Sequence, residues 1–260
     1  MPRLQEAELI NTERNALLRD LDPSEYHWLA RHLEHVEMEA GQVLTPANHR
    51  PTHIYFPQTG VVSHVAEFRD GGTVEVGTVG CEGFVGIPVF LQTGSSPHKS
   101  MIQINAVLRR MPTEAFELAM RELPILDVVL RRSVDAYLFQ AGQNAACNRM
   151  HDLGTRAARW LLMTHDRVGS DTYALTHEFL AMMLGVRRAG VSEAAAELQR
   201  RGAIRYSRGR VTVLDRGLLE QAACECYGVV RERFDNMLRG IDRRVEPVIQ
   251  PELVHRAAAD

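Results

Sequence analysis

The texture of the chain changes at Pro124, and that change constrains the fold more than any single motif. From Gly41 to Met111, short alternating runs are split by glycine and proline: His53-Ile54-Tyr55-Phe56, Val61 to Phe68, Val74 to Val79 and Met101 to Leu108. Period-two alternation bounded by turn residues is the pattern of half-buried strands. Arg69-Asp70-Gly71-Gly72 lies between two of these runs, and its glycines tolerate the positive φ angles of a tight hairpin. After Pro124 this punctuation almost vanishes for nearly 30 residues, while Leu126, Leu130, Val134, Tyr137, Ala141 and Ala145 recur at spacings of three and four. That spacing predicts one long helix with a narrow apolar seam, which either packs on its own domain or, as its length favours, on a second copy of the same helix.

The segments on either side are helical. Asp22-Pro23-Ser24-Glu25 supplies a cap, a proline for the first helical position and an early acid. A helix carrying Trp28, Leu29, Leu33 and Val36 is expected to follow, with His32 and His35 on its surface. Leu153 to His165, with Trp160, Leu161 and Leu162, reads as another helix. The expected architecture is α+β in four parts: a β-roll with N-terminal helices (1–123), a long dimerisation helix (124–150), a winged helix-turn-helix unit (151–240) and a polar tail (241–260) with prolines at 247 and 251.

Composition sets outer limits. With 260 residues, 45% hydrophobic and 24% charged, there is enough apolar material for two ordinary domains. No apolar run approaches the roughly 20 residues that span a bilayer, and MPRLQEAELINTERN lacks the blocks of a leader. A cytoplasmic protein with no membrane partner is expected. Cys81, Cys147, Cys224 and Cys226 are too scattered for a disulfide framework, and Cys224-Glu225-Cys226 reads as two ordinary thiols. Neither a metal nor a cofactor is expected. Gly80-Cys81-Glu82-Gly83 offers a thiol without an identifiable base, which argues against an enzyme.

The most informative stretch is THEFLAMMLGVRRAGVSEAAAELQRR, from Thr176 to Arg201. A helix-turn-helix needs apolar residues where its helices meet, a small residue at the close approach and a glycine at the turn. Leu180, Leu184, Val186, Val191 and Ala194 fill the apolar positions, Ala181 the small one and Gly185 the turn. Thr176 is placed to cap the first helix, with His177 just inside it. The second helix is expected from about Arg187 to Arg201, presenting Arg187, Arg188, Ser192 and Glu193. Arginine can bind guanine O6 and N7 bidentately, glutamate can accept from cytosine N4, and serine serves base or phosphate.

Ile204 to Val213 then alternates on both sides of a glycine-bearing turn and reads as a hairpin wing tipped by Arg208 and Arg210. The whole chain has a net charge of −3, yet Thr172 to Val213 holds seven basic residues (187, 188, 200, 201, 205, 208, 210) against three acidic (178, 193, 197), a net of +4. The basic charge is concentrated where phosphates would lie.

In the order of these parts the chain resembles the Crp/Fnr family of bacterial transcription regulators over roughly residues 12 to 230. The stretch LTHEFLAMMLGVRRAGVSEAAAELQRRGAIRYSRGRVTVLD carries the resemblance most specifically. It implies a homodimer on double-stranded DNA, with Arg188 at the family's principal base-reading position and Ser192 and Glu193 on the same face. RNA polymerase is a candidate further partner. Ala189 departs from the acidic residue common in the cyclic-AMP-responsive branch.

The sensor half departs further. In that branch a glutamate holds the ribose and an arginine the cyclic phosphate. Here the corresponding stretches are Gly83-Phe84-Val85-Gly86-Ile87-Pro88, with Ile87 at the glutamate position, and Ser96-Pro97-His98-Lys99-Ser100, which has no arginine. The ammonium of Lys99 lacks the planar fork of a guanidinium. Gly83 to Ile87 with Lys99 and Ser100 is therefore read as a degenerate pocket. The expected function is operator binding that does not answer to cyclic AMP, with an unidentified small-molecule effector; the alternative is a cyclic-nucleotide-responsive regulator with an atypical pocket.

Overall fold

A computed structural model of the chain describes residues 10 and 12–241. The expected tail beyond 241, with its two prolines, lies outside the described residues. Asn15 caps a short helix α1 (Ala16–Arg19), and its side-chain nitrogen donates to the carbonyls of Pro57 and Gly83. Helix α2 (Pro23–Ala30) starts as the sequence predicts, with Asp22 accepting from the Ser24 N–H and Pro23 in the first turn.

It ends sooner than predicted. Leu33 lies beyond it, and Val36 and His35 belong to strand β1 (Glu34–Met38), which pairs with β5 (Lys99–Pro112) in the register Glu34↔Arg110 and Val36↔Leu108. Glu34-His35-Val36-Glu37-Met38 also alternates, and pairing with β5 seats Val36 and Met38 on the sheet's apolar cluster. Sheet pairing overrode a plausible helical period.

Strands β2 (Val43–Thr45), β3 (His53–Glu67) and β4 (Thr73–Val79) complete a five-stranded antiparallel sheet in the order β1-β5-β3-β4, with β2 also on β5. The long partners β3 and β5 shift register near Pro57, Thr59 and Val61, and such bulges bend a sheet into a roll. Gly60 sits at this bend with φ +85°; a Cβ there would lie 2.5 Å from the Asn105 carbonyl oxygen, so only glycine fits. The β3–β4 hairpin turns where expected, with Phe68 N–H donating to the Gly72 carbonyl. A helical turn α3 (Ile87–Phe90) and helix α4 (Thr113–Glu122) lead into α5.

Helix α5 (Pro124–Met150) is one uninterrupted helix of 27 residues. Its apolar face is partly committed inward. Leu126, Leu130 and Val134 are buried in the core formed with Leu17, Leu29, Phe56 and Phe116 of the same chain, and Tyr137 packs on the sheet's cluster. These residues, expected at a dimer seam, hold the helix to its own roll. The outward stripe is Arg131, Asp135, Leu138, Gly142, Ala145 and Arg149, all exposed, of which only Ala145 belongs to the expected seam.

Helix α6 (Leu153–Val168) is capped by Asp152 and stopped by Gly169 at φ +70°. A three-stranded sheet in the order β6-β8-β7 follows around two helices: β6 (Thr172–Ala174), α7 (His177–Leu184), α8 (Arg188–Arg200), β7 (Ile204–Ser207) and β8 (Arg210–Val213). Helices α9 (Arg216–Ala222) and α10 (Cys226–Asn236) close the described chain. Val61, Val65 and Ile104 of the roll share one core with Trp160, Leu161, Leu180 and Val191, so the C-terminal unit is docked on the roll. Among the described residues no helix is long and apolar enough to cross a membrane.

Candidate nucleic-acid interface and sensor pocket

The two helices α7 and α8 meet as the sequence predicts. The Thr176 hydroxyl accepts from the Phe179 N–H at 3.1 Å, and Gly185 ends α7 in the left-handed region at φ +64°. Leu180, Ala181, Leu184, Val191 and Ala194 are buried between the helices and α6, and Val186 packs partly against them. With that face committed to the core, Arg187 at the N-cap and Arg188 and Glu193 in the first two turns of α8 are exposed to solvent. The Arg188 guanidinium is 66% exposed and held only by Glu178 at 3.7 Å, a contact that a nucleic acid can replace at little cost.

Ser192 is more constrained. Its hydroxyl donates to the Arg188 carbonyl at 3.1 Å and lies 2.9 Å from His177 Nδ1. The His177 ring stacks obliquely on Tyr206 with centroids 4.3 Å apart. Burial, helped by the positive charge of Arg188, pulls the His177 pKa below its ordinary value. A neutral His177 thus braces the start of α7 against α8 and the wing, and Ser192 is part of that brace.

The wing turns in two residues. Ser207 pairs with Arg210, and Arg208 and Gly209 between them take φ +49° and +70°, the signature of a type I′ turn. Arg208 and Arg210 are both exposed at its tip, and the Tyr206 hydroxyl anchors the wing to the Leu175 carbonyl.

The sensor half holds a cavity of about 110 Å³, room for a small ligand or several waters. Of the residues expected there, Val85, Gly86, Ile87 and Ser100 line it. Lys99 does not: its ammonium is paired with Glu67. Phe84 is buried in the roll's core against Phe56 and Phe116, and the Gly83 carbonyl is taken by Asn15.

Three histidines, His49, His64 and His98, line the cavity instead, with Ser96 and Tyr137. His64, on β3, is buried; its Nδ1 lies 2.9 Å from the Ser100 hydroxyl, and its buried Nε2 has no partner. Burial, joined by His98, pulls its pKa down to about 4, so the ring is neutral near pH 7. No sequence pattern singles out these three histidines, because strand alternation cannot show which face of a curled sheet encloses a cavity.

Between roll and C-terminal unit runs a polar seam. Arg167 donates to Glu82 and Thr78 at 2.6 Å and to Gln140 at 3.2 Å. Glu75 accepts from Ser63 at 2.7 Å and from the Trp160 indole at 3.2 Å. Burial pushes the Glu75 pKa up to about 7 despite those hydrogen bonds.

Residues 155–222 match the model of the Crp-like helix-turn-helix domain. A putative transcriptional regulator of the Crp/Fnr family from Eubacterium rectale superposes with a TM-score of 0.61 at 17% identity, over 80% of this chain and 97% of its own. The chain carries a Crp-like helix-turn-helix domain and shares the fold of this regulator. Two further Crp/Fnr-like structures illustrate how far the shared fold extends. The c-di-GMP-responsive regulator CLP of Xanthomonas campestris has a TM-score of 0.60 at 16% identity, covering 75% of this chain and all of that one. FixK2 of Bradyrhizobium japonicum has 0.59 at 17%, covering 74% and 98%. No curated protein matches the chain in sequence. Among the described residues, no acidic, arginine or lysine side chain lines the cavity of the N-terminal half.

Proposed function

We propose that the protein is a transcription regulator of the cytoplasm that binds a near-palindromic operator as a homodimer and does not answer to cyclic AMP. The observation that carries this reading is the N-terminal end of α8, where Arg187, Arg188 and Glu193 are exposed beside a wing tipped by Arg208 and Arg210. An exposed helix of this kind suits the major groove, and the flanking arginines suit phosphates.

The outward stripe of α5 supports the dimer. Leu138 is 64% exposed, and Gly142 and Ala145 on the same stripe would let a second α5 approach closely. The sensor cavity argues against a cyclic nucleotide, since no guanidinium is placed to pair with its phosphate and no carboxylate to hold its ribose. A neutral histidine with an unpartnered Nε2 suits instead a small effector that exchanges a hydrogen bond with it.

Titration of labelled operator DNA at increasing salt is the test. If the dimer neutralises about eight phosphates, log K falls against log salt with a slope near −7. Binding without salt dependence would contradict the reading. Micromolar saturable binding of cyclic AMP or cyclic GMP would contradict its effector half.

A further inference from the structure

Three of the four cysteines, Cys147 from one end of the C-terminal unit and Cys224 and Cys226 from the other, come together in a buried cluster of their own. Cys147 lies near the end of α5, and His151 is the extended residue that ends it. Cys224 sits in the turn after α9, and Cys226 is the first residue of α10. Their ligand atoms, three Sγ and one imidazole nitrogen, all lie within 4.8 Å of one another. Cys147 Sγ and Cys224 Sγ are 3.5 Å apart, and Cys226 Sγ is 3.6 Å from His151 Nδ1.

A tetrahedral zinc with metal–sulfur bonds of about 2.3 Å places its ligands about 3.8 Å apart. These separations match that edge. They exceed a disulfide bond of about 2.05 Å and are too tight for thiolates spread around the four irons of a [4Fe–4S] cluster.

The surroundings are those of a metal site. His151 Nε2 lies 3.3 Å from the Glu225 carboxylate, so with Nδ1 turned toward the thiols its other nitrogen has an acceptor. That carboxylate–histidine pairing fixes the ring's tautomer and orientation at metal centres. Gln143 Nε2 donates to Cys226 Sγ at 3.0 Å, as a thiolate favours.

Three thiolates around a dication leave one negative charge, and Arg156 is close enough for Cys147 and Cys224 to act on its guanidinium. Its buried Nε has no partner, while its terminal nitrogen donates to the Leu184 carbonyl at the end of α7.

We infer that Cys147, His151, Cys224 and Cys226 bind one tetrahedral divalent cation of the zinc class, which staples the end of α5 to the start of α10. Each thiol releases its proton to solvent as the metal–sulfur bond forms, and no electron is transferred. The staple closes a loop that contains α6, the helix-turn-helix and the wing, so bound metal fixes the DNA-binding unit against the long helix. Arg156 joins the metal site to the turn at Gly185.

The test is metal content of the full chain, purified in reductant and passed over chelating resin. About one zinc per chain is expected from a closed four-ligand site, with Cys226→Ser and His151→Asn losing it and Cys81→Ser keeping it. Glu225→Gln, a positioning change, should weaken zinc retention about 10- to 100-fold in a chelator competition. Cobalt(II) added to the zinc-free chain should give the intense visible bands of tetrahedral thiolate coordination. Zinc at background levels with cobalt bands no stronger in the wild type than in Cys226→Ser, a Cys147–Cys224 disulfide in the native protein, or iron with inorganic sulfide would each overturn the assignment.

Discussion

Arg188 is exposed at the first turn of α8 and paired only loosely with Glu178. If it reads a base, Arg188→Ala costs about 1–3 kcal/mol of operator affinity and relaxes specificity at one base pair per half-site. An equal loss on every duplex, measured by competition titration, would make it a phosphate contact.

Two buried groups set opposite pH dependences. Glu75 has a folded pKa raised to about 7, so it contributes stability at low pH that is lost as pH rises from about 4.5 to about 7. His64 is depressed to about 4, so its contribution is present above about 6.5 and is lost as pH falls toward 4. Between pH 5 and pH 7 the two contributions run in opposite directions. Glu75→Gln should therefore lose stability on acidification from pH 7 to pH 5, and His64→Gln should gain it. Urea midpoints at the two pH values check this, and unchanged slopes in both variants would contradict it.

The caps and turns of the helix pair were legible residue by residue, because they are local: Thr176 and Gly185 act on backbone within four residues of themselves. Removing the cap with Thr176→Ala should destabilise the C-terminal unit by about 1 kcal/mol in urea melts. Long-range partners hid what the periods could not show. The segment 34–38 is a strand because β5 lies beside it, and helical spacing alone does not tell the face of α5 that enters the roll's core, with Leu126, Leu130 and Val134, from its exposed face. The pocket histidines and the cysteine cluster are likewise built from separate elements, so no local pattern announces them. If the exposed stripe of α5 forms the proposed dimer, Leu138→Asp should give monomers in sedimentation equilibrium without unfolding the chain. A dimer of unchanged affinity would move the interface elsewhere.

Across the whole molecule, the shared core and the Glu75–Trp160 and Arg167–Glu82 contacts hold the helix-turn-helix against the roll, with the sensor cavity in the same sheet. An effector that shifts β3 therefore acts on the strand that carries His64 and Ser63 and packs on the C-terminal unit, a short physical route from pocket to reading helix. Selection of bound duplexes from a random DNA pool by the full-length protein tests the central claim most directly. The account predicts enrichment of two inverted half-sites whose centres are about 10 base pairs apart, one helical turn of about 34 Å, with one position losing its preference in Arg188→Ala. A pool that stays random after repeated rounds would contradict it.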